Sequence, residues 1–265
     1  MYNDYHMHSY FSADSITPME SMIVKSIDLG LNEICFTDHV DYDIIGNPNV
    51  FIDYDKYFEE LCFYKEKYRK NISIKKGLEI GLQPHILHRC SKEIQSHDFD
   101  FIIASIHTLE RLELYTCDYH KGKTQEEVYD KYYSTLFNII KNYKDYSVLG
   151  HLDLIKRYGD YPTILDDSIF SDYFKSILKQ VIEDGKGIEV NTSCFRYGLP
   201  DLTPSTYILK LYKELGGEIL TVGSDSHVTK DIATKFQQVH NYLKELGFKY
   251  VCEFTKMEPK FTKIY

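Results

Sequence analysis

The strongest constraint in this chain is an alternation. Short runs rich in β-branched and aromatic residues are each followed by a longer stretch with helical spacing. "EICFTDH" (33–39), "ISIKKGLEIG" (72–81), "FDFIIASIH" (99–107), "YSVLGHLD" (146–153), "GIEVNTS" (187–193) and "EILTVGSDSH" (218–227) read as strands. The opening "DYHMHS" adds a seventh, and "FKYVCEF" (248–254) is a candidate eighth. The first helical stretch, "TPMESMIVKSIDLG" (17–30), has Thr17 as its expected N-cap, Pro18 in the first helical position, Glu20 in the third, and Gly30 as its stop. Further helices are expected over 54–70, 125–143, 168–185 and 203–217. Such alternation predicts a mostly parallel α/β sheet, and its seven or so units predict a (β/α) barrel rather than an open sheet. No composition break or low-complexity linker interrupts the 265 residues, so a single domain over 1–265 is expected.

The chemistry sits at the strand ends. Residues two apart in a strand face the same side, so His6 and His8 present both imidazoles to one point. His39 ends "FTDH", Glu79 lies in "GLE", His107 ends "ASIH", and His151 lies in "GHLD". Asp225 and His227 lie in "SDSH", and Asp14 follows the first strand. A parallel barrel gathers all these ends at one mouth. Six of the eleven histidines occupy such positions, a bias that scattered surface histidines would not show. The other five, His85, His88, His97, His120 and His240, are expected to be solvated or packed. Imidazole and carboxylate without thiolate suit Zn, Mn or Fe(II). Nine such groups are too many for one ion, so two to three divalent ions are expected. Clusters of this kind activate water and clamp phosphate oxygens.

A net charge of −9 argues against long nucleic acid or an anionic membrane surface as partner. It leaves room for a small anionic substrate, because bound cations supply local positive charge. The six cysteines stand singly, which fits neither a disulfide framework nor a structural zinc site. No apolar run approaches the ~18 residues of a membrane span. The opening residues carry neither a basic nor an apolar leader region, and a reducing cytoplasm is the expected compartment.

"HMH", "TDH", "GLE", "SIH", "GHLD" and "SDSH", in this order from residue 4 to 227, resemble the motifs of the polymerase and histidinol phosphatase (PHP) superfamily. The resemblance implies a distorted (β/α)7 TIM-like barrel with a trinuclear metal centre. By it, one ion would take His6, His8, Glu79 and Asp225. A second would share Glu79 and take His107 and His151, and a third would take Asp14, His39 and His227. Asp14 stands where several members carry a histidine, and a loop aspartate beside Ser15 is the other reading of it.

Within the superfamily, the length and the "FTDHVDYD" run are most similar to the stand-alone histidinol-phosphate phosphatases. That implies hydrolysis of L-histidinol phosphate, a step of histidine biosynthesis, by a hydroxide activated at the metals. Arg157 and Arg196 follow strand ends, and their guanidinium forks suit phosphate oxygens. Asp225, Arg157 and Arg196 are the expected catalytic side chains, with Asp225 or Asp41 as candidate proton donor to the leaving alkoxide. Glu110 and Glu113 are candidates to face the substrate's ammonium. They lie in the polar connection 108–124, which with a second at 40–54 is expected at the mouth. Three other functions stay open. One is a PHP phosphoesterase acting on nucleotides or oligonucleotide ends; another, of a different class, is a non-catalytic module binding metal or a phosphorylated ligand. A related metal amidohydrolase is more distant. No motif speaks to the oligomeric state.

Overall fold

A computed structural model describes residues 2–264, so the first and last residues of the expected 1–265 domain lie outside the described residues. Seven parallel strands form its centre: β1 (Asn3–Met7), β2 (Glu33–Phe36), β3 (Ser73–Gly81), β4 (Phe101–Ser105), β5 (Val148–Leu149), β6 (Gly187–Asn191) and β7 (Leu220–Gly223). Each pairs with the next in chain order. The chain beyond β7 then returns to β1: the Asp225 N–H donates to the His6 carbonyl at 2.7 Å, and the His8 N–H to Ser226 at 2.9 Å. The result is a nearly closed α/β barrel, as expected.

Its main distortion lies at β2, which stops at Phe36. The first half of β3 pairs with β2, and the second half pairs with a separate segment, His39 standing opposite Glu79. Gly77 sits at the changeover. A Cβ there would lie 2.5 Å from Cys35 Sγ and 2.7 Å from the Phe36 carbonyl oxygen, so a side chain cannot be accommodated.

Helices α1 (Met19–Asp28), α2 (Tyr54–Lys67), α3 (Leu87–Gln95), α4 (Gln125–Asn142), α5 (Ser171–Glu183), α6 (Thr206–Glu214) and α7 (Phe236–Glu245) surround the sheet. Their starts follow local chemistry. Thr124 and Glu127 close a capping box on α4, and Asp53 caps α2. The start of α1 departs from expectation: Pro18 takes the N-cap position, and the Thr17 hydroxyl instead donates to the His227 carbonyl at 2.8 Å. Thr17 therefore ties α1 to the last site loop. Two helices were not expected. α3 buries only Cys90 and Ile94, too thin an apolar stripe to read. In α7 the stripe runs through His240, which is buried with Nδ1 2.8 Å from the Phe236 carbonyl.

The candidate eighth strand forms, but outside the barrel. Tyr250–Thr255 pairs antiparallel with Glu258–Lys263 in a separate hairpin, because the segment after β7 already bonds to β1 and leaves no barrel edge. Cys252 and Phe254 from this hairpin join Tyr5, Cys35, Phe101, Ile103 and Val148 in a small interior cluster. The hairpin thus covers the barrel floor, opposite the mouth. Among the described residues, no helix is long and apolar enough to cross a membrane.

A buried ion triad anchors the loop after β5. Lys156 Nζ lies 2.8 Å from Asp153 and 2.6 Å from Asp167, and Asp153 also accepts from the Ser205 N–H at 3.0 Å. Lys156→Met leaves two carboxylates without their cation and is expected to cost about 3 kcal/mol, read from the urea unfolding midpoint. An unchanged midpoint would show that the triad adds no stability.

Candidate active site

Both long polar connections fold as hairpins beside the mouth. His39–Ile44 pairs with Asn47–Val50, and Thr108–Leu109 with Leu112–Glu113. The Ile45 N–H donates to the Arg111 carbonyl at 2.8 Å and joins the two. Between them and the strand ends opens a cavity of about 570 Å³ whose wall includes Asp14, His39, His107, His151, Asp225 and His227.

Glu79, fully buried at the upper end of β3, is the hub. Its Oε1 lies 2.8 Å from His151 Nε2 and 3.2 Å from His107 Nε2. Its Oε2 lies 3.0 Å from His6 Nε2, 3.1 Å from His39 Nδ1 and 3.6 Å from His8 Nε2. One carboxylate therefore faces five imidazoles. The His8 ring stacks on both His39 and His227, at centroid distances of 4.3 and 4.0 Å, and those two rings lie 5.7 Å from each other. Asp225 Oδ1 approaches His6 and His8 at 3.8 and 3.6 Å, and Asp14 Oδ2 lies 3.1 Å from His227 Nε2.

All nine side chains expected at the mouth are thus brought together. Their grouping is finer than the expected three sets. Ligand atoms lie within 4.8 Å of one another in His6–His8–Glu79, His39–Glu79–His107, His8–His39–His227 and His6–His151–Asp225. His39 sits on the Glu79 side as well as the His227 side because its segment pairs directly with β3.

These residues fit divalent cations. His8 Nε2, His39 Nδ1 and His227 Nε2 are buried without a hydrogen-bond partner, a costly state that ligation relieves. Burial, with His227 and His39 alongside, holds the His8 pKa well below the ordinary value and keeps the ring in the neutral form that ligates. Two of the expected ligands also sit on strained backbone, with φ of 22° at His151 and 55° at Asp225.

Surrounding groups orient the ligands. Asp41 Oδ1 lies 2.9 Å from His107 Nδ1, a carboxylate–histidine pair typical of metal sites. A Cβ on Gly81 would fall 1.7 Å from that oxygen, so glycine makes the room. Asp38, the acid of "TDH", accepts from the Ser9 N–H and the Ser12 hydroxyl at 2.6 and 2.7 Å. Ser12 Oγ in turn lies 3.1 Å from His8 Nδ1 and accepts from the His39 N–H at 3.0 Å.

A PHP-domain model matches residues 4–193 of this chain. The chain belongs to the PHP family. It is 32% identical to the histidinol-phosphatase of Lactococcus lactis subsp. lactis over 260 residues, covering 96% of this chain and 95% of that protein. It is also 32% identical to a probable histidinol-phosphatase of Clostridium acetobutylicum, covering 93% and 94%. The crystal structure of the Lactococcus histidinol phosphate phosphatase, complexed with zinc, L-histidinol and phosphate, superimposes with a TM-score of 0.91 at 31% identity over 98% of each chain.

In this PHP barrel the expected arginines both line the cavity. Arg157 is buried, its guanidinium 3.3 Å from Asp225 Oδ2 and 3.3 Å from Asn191 Oδ1, and it also donates to Ser193 Oγ. Arg196 donates to the Ser224 and Asp225 carbonyls at 2.7 and 2.6 Å, so much of its fork is engaged by backbone. Glu113 lines the cavity, but Glu110 does not. Glu110 and Arg111 form the tight turn of the hairpin at positive φ, which sends Glu110 outward to Lys131 at 3.0 Å. Its expected contact with the substrate's ammonium is therefore corrected. Glu189 of β6 was given no role by the sequence reading. The available signal was a lone acid amid the apolar letters of "GIEV".

Proposed function

We propose that residues 1–265 act as one metal-dependent phosphatase domain that hydrolyses L-histidinol phosphate to L-histidinol and phosphate. The observation that carries the substrate is the match over 98% of both chains to a protein solved with zinc, L-histidinol and phosphate. His6, His8, Asp14, His39, Glu79, His107, His151, Asp225 and His227 hold two to three divalent ions, with zinc the first candidate. Bound ions supply an activated water and a clamp on the phosphate oxygens.

The chain's own groups do the rest. Arg157, locked by Asp225, Asn191 and Ser193, presents fixed positive charge where charge builds on the phosphate oxygens. Arg196 stiffens the loop that carries Asp225 and adds a second cation to the wall. Glu113, on the outer wall, faces the substrate's ammonium. Asp225 reaches both the ligand cluster and Arg157; burial would raise its pKa, but His6, His8 and Arg157 hold the carboxyl well below its ordinary range, so it relays to the leaving alkoxide a proton taken from the attacking water. The substrate is a small molecule, and the reaction belongs to cytoplasmic histidine synthesis.

The test is phosphate release from zinc-loaded protein with L-histidinol phosphate, nucleoside monophosphates and an aryl phosphate. A preference for histidinol phosphate on the order of 10²-fold or more in kcat/KM is expected. Release from nucleotides alone would keep the metal centre and overturn the substrate. Binding of histidinol phosphate without release would make the chain a non-catalytic module.

A further inference from the structure

Glu189 is a buried acid at the centre of β6, 1% exposed, and outside the nine ligand candidates. Its Oε1 lies 2.6 Å from His6 Nδ1. Its Oε2 accepts from the His151 backbone N–H at 2.9 Å and from the Asn191 side-chain amide at 3.1 Å. An ionised carboxylate accepts and does not donate, so paired with it at this distance His6 carries its ring proton on Nδ1. That leaves the Nε2 lone pair aimed at Glu79 and the cluster, 3.0 Å from Glu79 Oε2. The second oxygen holds His151 at the residue whose φ is 22°, a conformation that a side chain adopts only when its surroundings impose it. The space is closed too: a Cβ on Gly223 would come within 2.3 Å of Glu189 Oε1 and 2.4 Å of His6 Cβ.

We infer that Glu189 is a positioning residue for the metal centre, setting the His6 tautomer with one oxygen and the His151 backbone with the other. Ligands from β1 and from the loop after β5 are thereby aligned by one group on β6, which never touches the substrate. The inference rests on the metal-centre reading above. It also explains why a charge is retained in an otherwise apolar barrel strand. A group there for packing alone would be better served by a hydrophobic side chain.

Two measurements test it. Glu189→Gln keeps the shape but offers one acceptor oxygen, which cannot serve both His6 and the His151 N–H. Zinc affinity, measured by competition with a chelator, is expected to fall about 10- to 100-fold, with kcat lowered and KM for histidinol phosphate little changed. Unchanged zinc affinity in folded variant protein would overturn the inference. The second measurement needs no variant. In zinc-loaded wild-type protein with 15N-labelled histidine, His6 is expected to show a slowly exchanging Nδ1–H. That proton should contact the Asn191 side-chain amide, whose nitrogen lies 3.5 Å from His6 Nδ1. A His6 proton on Nε2 would overturn it even if Glu189→Gln failed to fold. Wild-type protein that took up no zinc would give a different result, overturning the metal-centre reading itself.

Discussion

Glu79→Ala is expected to lose bound metal and activity together, with kcat down on the order of 10³-fold. The carboxylate faces His6, His39, His107 and His151 within 3.2 Å and, among the described residues, is the only acid that reaches all four. The imidazoles also set its charge. Burial alone would raise its pKa, but His6, His39 and His107 hold it well below the carboxylate range. Removing it leaves His6, His39, His107 and His151 without the carboxylate they face in common, and with no such group to share between ions. Elemental analysis of the purified variant, beside steady-state kinetics, checks both losses. Full metal content with full activity would sink the shared-ligand arrangement. Metal retained with activity lost would assign Glu79 to the reaction rather than to the ions.

Arg157→Met is expected to lower kcat/KM for histidinol phosphate by about 10²- to 10³-fold while zinc content stays at the wild-type level. Methionine keeps the stem volume and removes the fork. Arg157→Lys restores the charge but not the planar pair of donors that meets Asp225, Asn191 and Ser193, so only partial recovery is expected. The contrast with Glu79→Ala is diagnostic, since one variant loses its ions and the other keeps them. Equal activity of Arg157→Met and wild type would remove this arginine from phosphate binding.

The parallel barrel and the gathering of the candidate ligands at one mouth were legible because both leave a periodic trace. The strands are short apolar runs, and "HMH", "TDH", "SIH" and "SDSH" place donors at the same end of each. What stayed hidden depends on contacts between distant segments. Nothing local in "FKYVCEF" distinguishes a barrel strand from a floor hairpin; the choice is made by whether β1 and the segment after β7 reach each other. Thr17 reads as a helix cap, yet its hydroxyl is drawn to the His227 carbonyl, 210 residues away. Glu110 and Glu113 look alike in sequence, and only the tight turn between them sends one outward and one to the cavity. Asp41 reads as a candidate proton donor, and only the fold sets its carboxylate 2.9 Å from His107 Nδ1.

The seam between β1 and the segment after β7 also sets a clock. His6 and His8 leave the ribosome more than two hundred residues before the Asp225 and Ser226 groups that bond to them. At roughly 5–20 residues per second, the two sides of the seam are made some 10–45 s apart. Throughout that interval the first strand must wait with its imidazoles unenclosed. Closing the ring demands contacts of very high sequence separation, which are the slow ones in folding. The nascent chain can assemble His39, Glu79 and His107 much earlier, but the full set of ligands exists only after translation has passed residue 227. A mouth with all nine side chains in place is therefore a late event in the life of this chain, and a chain truncated before the seam would leave its histidines unenclosed.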